Sequence, residues 1–150
     1  MSISIQTVSL KSALTIAQKT LECARSERMN PLAVVVLDVR GVVKAYLAED
    51  GTSLLRFQIA SGKAAGALGL GFGGRELERR GAAGPLFINA IQAMTDGKMV
   101  PVRGGVLIRN QQGEVVGSVG VSGDTSANDE ICAVKGIQSA GLVADHGDKE

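Results

Sequence analysis

The sequence predicts an α+β fold, a single-domain antiparallel sheet built from two hairpins with helices on both faces. Three observations carry this. The stretch LAVVVLD at 32–38 is apolar at every position but the last, so both faces of that strand need cover, which places it inside a sheet layered between helices. Two strand-forming regions double back through short polar turns, Asp38-Val39-Arg40-Gly41 and Asn110 to Gly113, and connections that short make hairpins rather than parallel crossovers. Residues 34–70 laid over 106–142 without a gap match at Val34/Val106, Gly41/Gly113, Val43/Val115, Gly51/Gly123, Ile59/Ile131, Lys63/Lys135, Gly69/Gly141 and Leu70/Leu142. This reads as an internal repeat of strand, turn, strand, turn, helix, within one domain spanning 1–150.

Taken in order, Ile3 and Ile5 alternate with polar neighbours as a short edge strand would. From Thr7 to Arg28, Leu10, Ala13, Leu14, Ala17, Leu21 and Ala24 recur at helical spacing, and Asn30-Pro31 ends that amphipathic helix. VVKAYL returns as the partner of the first strand. Asp50-Gly51 turns the chain, and Thr52 or Ser53 caps a helix carrying Leu55, Ile59, Lys63 and Ala64. The segment GALGLGFGG at 66–74 is too rich in glycine for a regular helix and reads as a hinge or lid. A helix precedes it, so it is not a dinucleotide fingerprint, and Phe57 and Ala64 stand where a phosphate loop needs Gly and Ser or Thr. Arg75, Glu76, Glu78, Arg79 and Arg80 make a solvated helical surface. Pro85 opens a short helix through Phe87, Ala90, Ile91 and Met94 that Gly97 stops. Met99 to Ile108 reads as a strand bent at Pro101 and Gly104-Gly105, the last helix runs on to Leu142, and the tail DHGDKE frays.

Sixteen basic against fifteen acidic residues give a net charge of +1, with no Trp, one Tyr (Tyr46) and three Phe. Neither the field nor the stacking residues of a nucleic-acid binder are present. Cys23 and Cys132 are far apart in sequence and offer no ladder of metal ligands; they read as buried thiols of a reducing cytosol. The start MSISIQTVSLKS lacks the basic region and apolar core of a secretion signal, and no apolar run reaches about 18 residues. A cytoplasmic protein without a membrane partner is the expectation.

The most informative stretch is GEVVGSVGVSGDTSANDE at 113–130. Val115, Val119 and Val121 fall on one face of this strand and Ser118, Gly120 and Ser122 on the other, leaving the second face nearly bare, as at a bulge, in close backbone packing or where something approaches the chain. Asp124, Thr125 or Ser126 then caps a helix, and Ser126 with Asp129 has capping-box spacing. The free N–H groups of that helix, with Lys63 and Arg103, can hold a carboxylate. The candidate ligand-binding residues are Lys63, Arg103, Gly104, Gly105, Ser122, Gly123 and Asp129, for a small anionic organic molecule. Two other classes stay open. One is a catabolic enzyme with Lys63 or Asp129 as general base, although no nucleophile elbow, carboxylate dyad or well-placed histidine supports it. The other is a pure assembly module, since Val-, Ala- and Gly-rich halves with few aromatics leave apolar surface that self-association would cover.

The hairpin VVLDVRGVV, Asp50-Gly51, IASGKA with Lys63, Gly104-Gly105 and above all SVGVSGDTSANDE resemble the GlcG/HbpS-like family, whose domain is also fused to PduO-type cobalamin adenosyltransferases. The resemblance spans residues 10–142. It implies a profilin/roadblock-like layered architecture, assembly into homo-oligomers, and in some members haem or a corrinoid as ligand. Haem-binding members offer a histidine from the N-terminal helix. The helix from Thr7 to Arg28 has none, and the only histidine is His146, so the remaining axial candidates are Tyr46, Met94 and Met99.

Overall fold

Ser9 accepts a hydrogen bond from the Ser12 backbone N–H at 3.1 Å and so caps α1 (Leu10–Ser26). In the computed structural model, which describes residues 1–148, the chain then forms the hairpin β1 (Ala33–Asp38) and β2 (Val43–Ala48). The helices α2 (Arg56–Leu70), α3 (Gly74–Ala83) and α4 (Pro85–Met94) follow. A second hairpin, β3 (Gly105–Arg109) and β4 (Val115–Ser122), leads into α5 (Ser126–Ser139) and β5 (Val143–Asp145). The sheet order is β2-β1-β4-β3-β5, and every described pairing is antiparallel.

All six residues of β1 are buried, as a strand covered on both faces must be. Val34 and Val36 join Val106, Ile108, Val119 and Val121 in a core closed by Ile16 and Ala17 of α1 and Cys132, Ala133 and Ile137 of α5. Val35 and Leu37 face the other way, onto Ala60 and Ala64 of α2. The helices therefore lie on both faces, α1 and α5 on one and α2 on the other.

Several local expectations change. Ile3 and Ile5 form no strand and are exposed; the sheet edge beside β3 is taken by β5, which pairs Leu107 with Asp145. Leu10 and Leu14 face solvent while Ile16, Thr20 and Cys23 are buried, because α1 turns that stripe toward α5. Neither Thr52 nor Ser53 caps α2, whose N-cap is Leu55 with no side-chain bond. The helix also persists through Gly66 and Gly69 to the left-handed Gly71. Gly66 does not loosen it: a Cβ there would stand 2.6 Å from Met99 Cγ, so the glycine lets the 98–104 segment press against the helix. That segment is an irregular strap, tied by the Val100 N–H to the Gly62 carbonyl at 3.0 Å, rather than the start of a strand. The tail does not fray through the described residues. β5 pairs with β3, and Asp148 accepts from Arg75 Nη1 at 2.7 Å and also from Arg79.

Candidate functional site

The bare face of β4 is bare because a helix lies on it. Ser118 Oγ donates to the Ala64 carbonyl at 2.9 Å, and a Cβ on Gly120 would stand 1.8 Å from the Ala60 carbonyl oxygen. Gly105 on β3 has the same relation to the Lys63 carbonyl, at 2.3 Å. The approach that glycine in a strand signals is that of α2's own backbone.

Placed this way, α2 drives Lys63 past the end of the sheet. Its Nζ lies 2.9 Å from Asp129 Oδ2, with 3% and 1% of the two side chains exposed. Asp129 Oδ1 accepts from the Asp124 backbone N–H at 3.0 Å, so both carboxylate oxygens are engaged and the capping box with Ser126 is not made. Thr125 caps α5 instead, accepting from the Asn128 N–H at 3.2 Å. Burial holds the Asp129 carboxyl above its ordinary range, with Lys63 pulling it only part of the way back. Two charges so enclosed hold only because each satisfies the other.

Lys63, Gly104, Gly105 and Asp129 are thus brought together, but the space between them is filled. A Cβ on Gly104 would stand 2.9 Å from Lys63 Nζ, and one on Gly123 would stand 2.2 Å from the Pro31 carbonyl oxygen. Ser122 Oγ accepts from Arg56 Nη1 at 3.1 Å, a partner that its distance in sequence concealed. Arg103 lies apart from the pair, with Nε 3.5 Å from Glu78 Oε1 and 42% of its side chain exposed. Arg75 belongs to no solvated patch: it reaches buried Glu130 at 2.7 Å as well as Asp148. Consecutive carboxylates of α5, Asp129 and Glu130, are therefore each gripped by a cation from a different helix. The clue in sequence was the ANDEI segment, where acidic residues precede an apolar one on a helix that must be half buried.

Open space lies on the outer side of α2. One groove of about 450 Å³ runs between α2 and α4, lined by Ala65, Gly69, Leu70, Ile91, Met94 and Met99. A second of about 430 Å³ lies between α2 and the first hairpin, lined by Leu37, Val43, Phe57, Ser61, Ala65 and Lys98. Ala65 and Lys98 border both. Tyr46 meets Phe57 edge-on, with ring centroids 4.8 Å apart. Ser61 Oγ is buried without a hydrogen-bond partner within the protein, as are Gln92 Oε1, Arg103 Nε and Glu130 Oε2, and a water or a bound group would complete it. Of the three axial candidates, Met94 and Met99 line the first groove and Tyr46 stands beside the second. His146 lines neither.

The model of the family described as haem degrading protein HbpS-like matches residues 8–138. The chain belongs to the HbpS-like family. Among solved structures, the PduOC–haem complex is similar at 20% identity and a TM-score of 0.81, over 91% of this chain and 96% of that one. HbpS is similar at 24% identity and 0.76, over 92% of each. Klebsiella pneumoniae protein ORFY is similar at 24% and 0.81, over 93% and 94%. No protein with curated annotation matches the chain. At such identities the HbpS-like fold is shared, while the ligand must be argued from the grooves. No helix among the described residues is long and apolar enough to cross a membrane.

Proposed function

We propose that this HbpS-like domain binds a flat, largely apolar small molecule bearing carboxylates, of the tetrapyrrole class, on the outer face of α2. The observation that carries this is the unpartnered Ser61 hydroxyl in the wall of an apolar groove bordered by Lys98. The small residues Ser61, Ala65 and Gly69 give a face that a planar ring can lie on, and a lysine at its rim suits an acid side chain. A histidine-ligated haem does not fit, because the nearby donors are thioethers and a phenol. In this reading Lys63, Gly104, Gly105, Gly123 and Asp129 support the floor from behind, and Arg103 and Ser122 stand outside it. That one similar structure holds haem supports the ligand class.

Titrating haemin into the parent protein and variants, with the Soret band as readout, tests the reading. Ala65→Trp fills both grooves on an exposed helical position and should weaken binding at least about tenfold, Lys98→Glu somewhat less. His146→Ala should leave the spectrum unchanged. If Ala65→Trp binds as the parent does while Ser122→Ala and Arg103→Ala weaken binding, the ligand sits at the start of α5 and the groove assignment falls.

We also propose a cytoplasmic homo-oligomer. On α4 only Ile88 is buried, and Leu86, Phe87 and Met94 are 84%, 50% and 74% exposed, a patch that a second copy would cover. Light scattering at micromolar concentration should give a multiple of the monomer mass; a monomer removes this claim.

A further inference from the structure

On the far side of the sheet from the grooves, α1 and α5 bring two cysteines together. Cys23 and Cys132 are 6% and 0% exposed, and their sulfurs lie 2.9 Å apart, with Met29 Sδ 3.5 Å from Cys132 Sγ. The helix pair enforces this approach. Ile16, Thr20 and Cys23 share one face of α1 at i, i+4, i+7, while Cys132 and Gly136 share one face of α5. A Cβ on Gly136 would stand 2.3 Å from Thr20 Oγ1 and 2.6 Å from the Ile16 carbonyl oxygen. Backbone thus rides on backbone one turn from the sulfurs, and the thiols cannot drift apart without opening the helix interface.

We propose that Cys23 and Cys132 are a site of reversible disulfide formation that locks α1 to α5 under peroxide or disulfide stress. With hydrogen peroxide as oxidant, the two S–H bonds and the O–O bond break, and one S–S bond and two O–H bonds form. The thiols give up two electrons, two water molecules leave, and a dithiol reductant reverses the step. Closing the sulfurs to a bond of about 2.05 Å takes a shift of less than about 1 Å, within reach of side-chain rotation. Burial, first among the causes, pushes the Cys132 thiol well above its ordinary range, so the site responds to sustained oxidant rather than to air. This inference is independent of the groove reading.

The test equilibrates the full chain with hydrogen peroxide, and in a second arm refolds it from denaturant in mixed oxidised and reduced glutathione, so that slow access to buried thiols cannot hide the bond. Denaturing alkylation and intact mass then count free thiols. The expected product is an unalkylated monomer lighter by two hydrogens, with a melting temperature raised by about 10 °C and restored by dithiothreitol. Cys23→Ser should fold as the reduced parent does and show no rise. Two alkylatable thiols in both arms, sulfinic acid in place of the mass loss, or cross-linked dimers without the intrachain bond would overturn the proposal.

Discussion

The two faces of the sheet are built by opposite rules. Toward α1 and α5 the strands present Val34, Val36, Val106, Ile108, Val119 and Val121, and the helices stand off to let those side chains interdigitate. Toward α2 they present Gly105, Ser118 and Gly120, and the helix answers with Ala60 and Ala64 until carbonyl and strand backbone nearly touch. The lesson is that a face without bulk is not thereby a face without a neighbour. Close packing of α2 on its inner side also leaves its outer side smooth, and there the grooves lie.

The largest expected effect breaks that asymmetry. Gly120→Val should cost more than about 4 kcal/mol and abolish folding, because nothing on α2 yields at a backbone carbonyl. Val119→Ala, one residue away on the other face, should cost about 2 kcal/mol as a cavity. Urea titration of both compares the two rules directly. Next comes the ion pair: Lys63→Met strands a buried carboxylate and should cost about 3–5 kcal/mol, while Lys63→Met with Asp129→Leu should recover most of the loss. If the double variant is no better than the single one, the pair is not the coupling between α2 and α5. Ser61→Ala should leave stability within about 0.5 kcal/mol or raise it, since the hydroxyl lacks a partner, and should weaken haemin binding.

The smallest effect concerns the strap of charge at the tail. The hydrogen bonds from Arg75 and then Arg79 hold the Asp148 carboxyl down at about 2 against its ordinary 3.8. A folded value below the unfolded one contributes stability that is complete above 3.8 and fades as pH falls toward about 2. Amide protection of Val143 to Asp145 should therefore fall in that window ahead of β1, as hydrogen exchange can show; simultaneous loss would deny the tail a separate docking step.

The layering was legible in the sequence, because LAVVVLD admits no exposed face and short polar turns dictate hairpins. The alternation around Ser118, Gly120 and Ser122 also identified the unusual strand face. What it could not supply was the occupant, since glycine reports that something comes close and not what. For the same reason GALGLGFGG read as a hinge: helix propensity is local, and the strap through Met99 that holds Gly66 in place is a contact across 33 residues of chain (99 − 66). Lys63 and Asp129 were singled out together as ligand residues. That they face each other at 2.9 Å follows from α2's depth in the glycine face, which no spacing rule encodes. The grooves had no sequence signature, being made of ordinary residues, Ala65 and Ser61 among them.

The register of β1 against β4, from Ala33 with Ser122 to Asp38 with Gly117, has a consequence for how the protein is born. During synthesis the first hairpin emerges with one side of a strand that is apolar but for Asp38 unpaired, and its partner strand begins 67 residues further along the chain (115 − 48 = 67). For several seconds at ordinary elongation rates the nascent chain offers an open, sticky strand edge to its neighbours. Chaperone dependence in the cell should therefore track the delay before β4 appears.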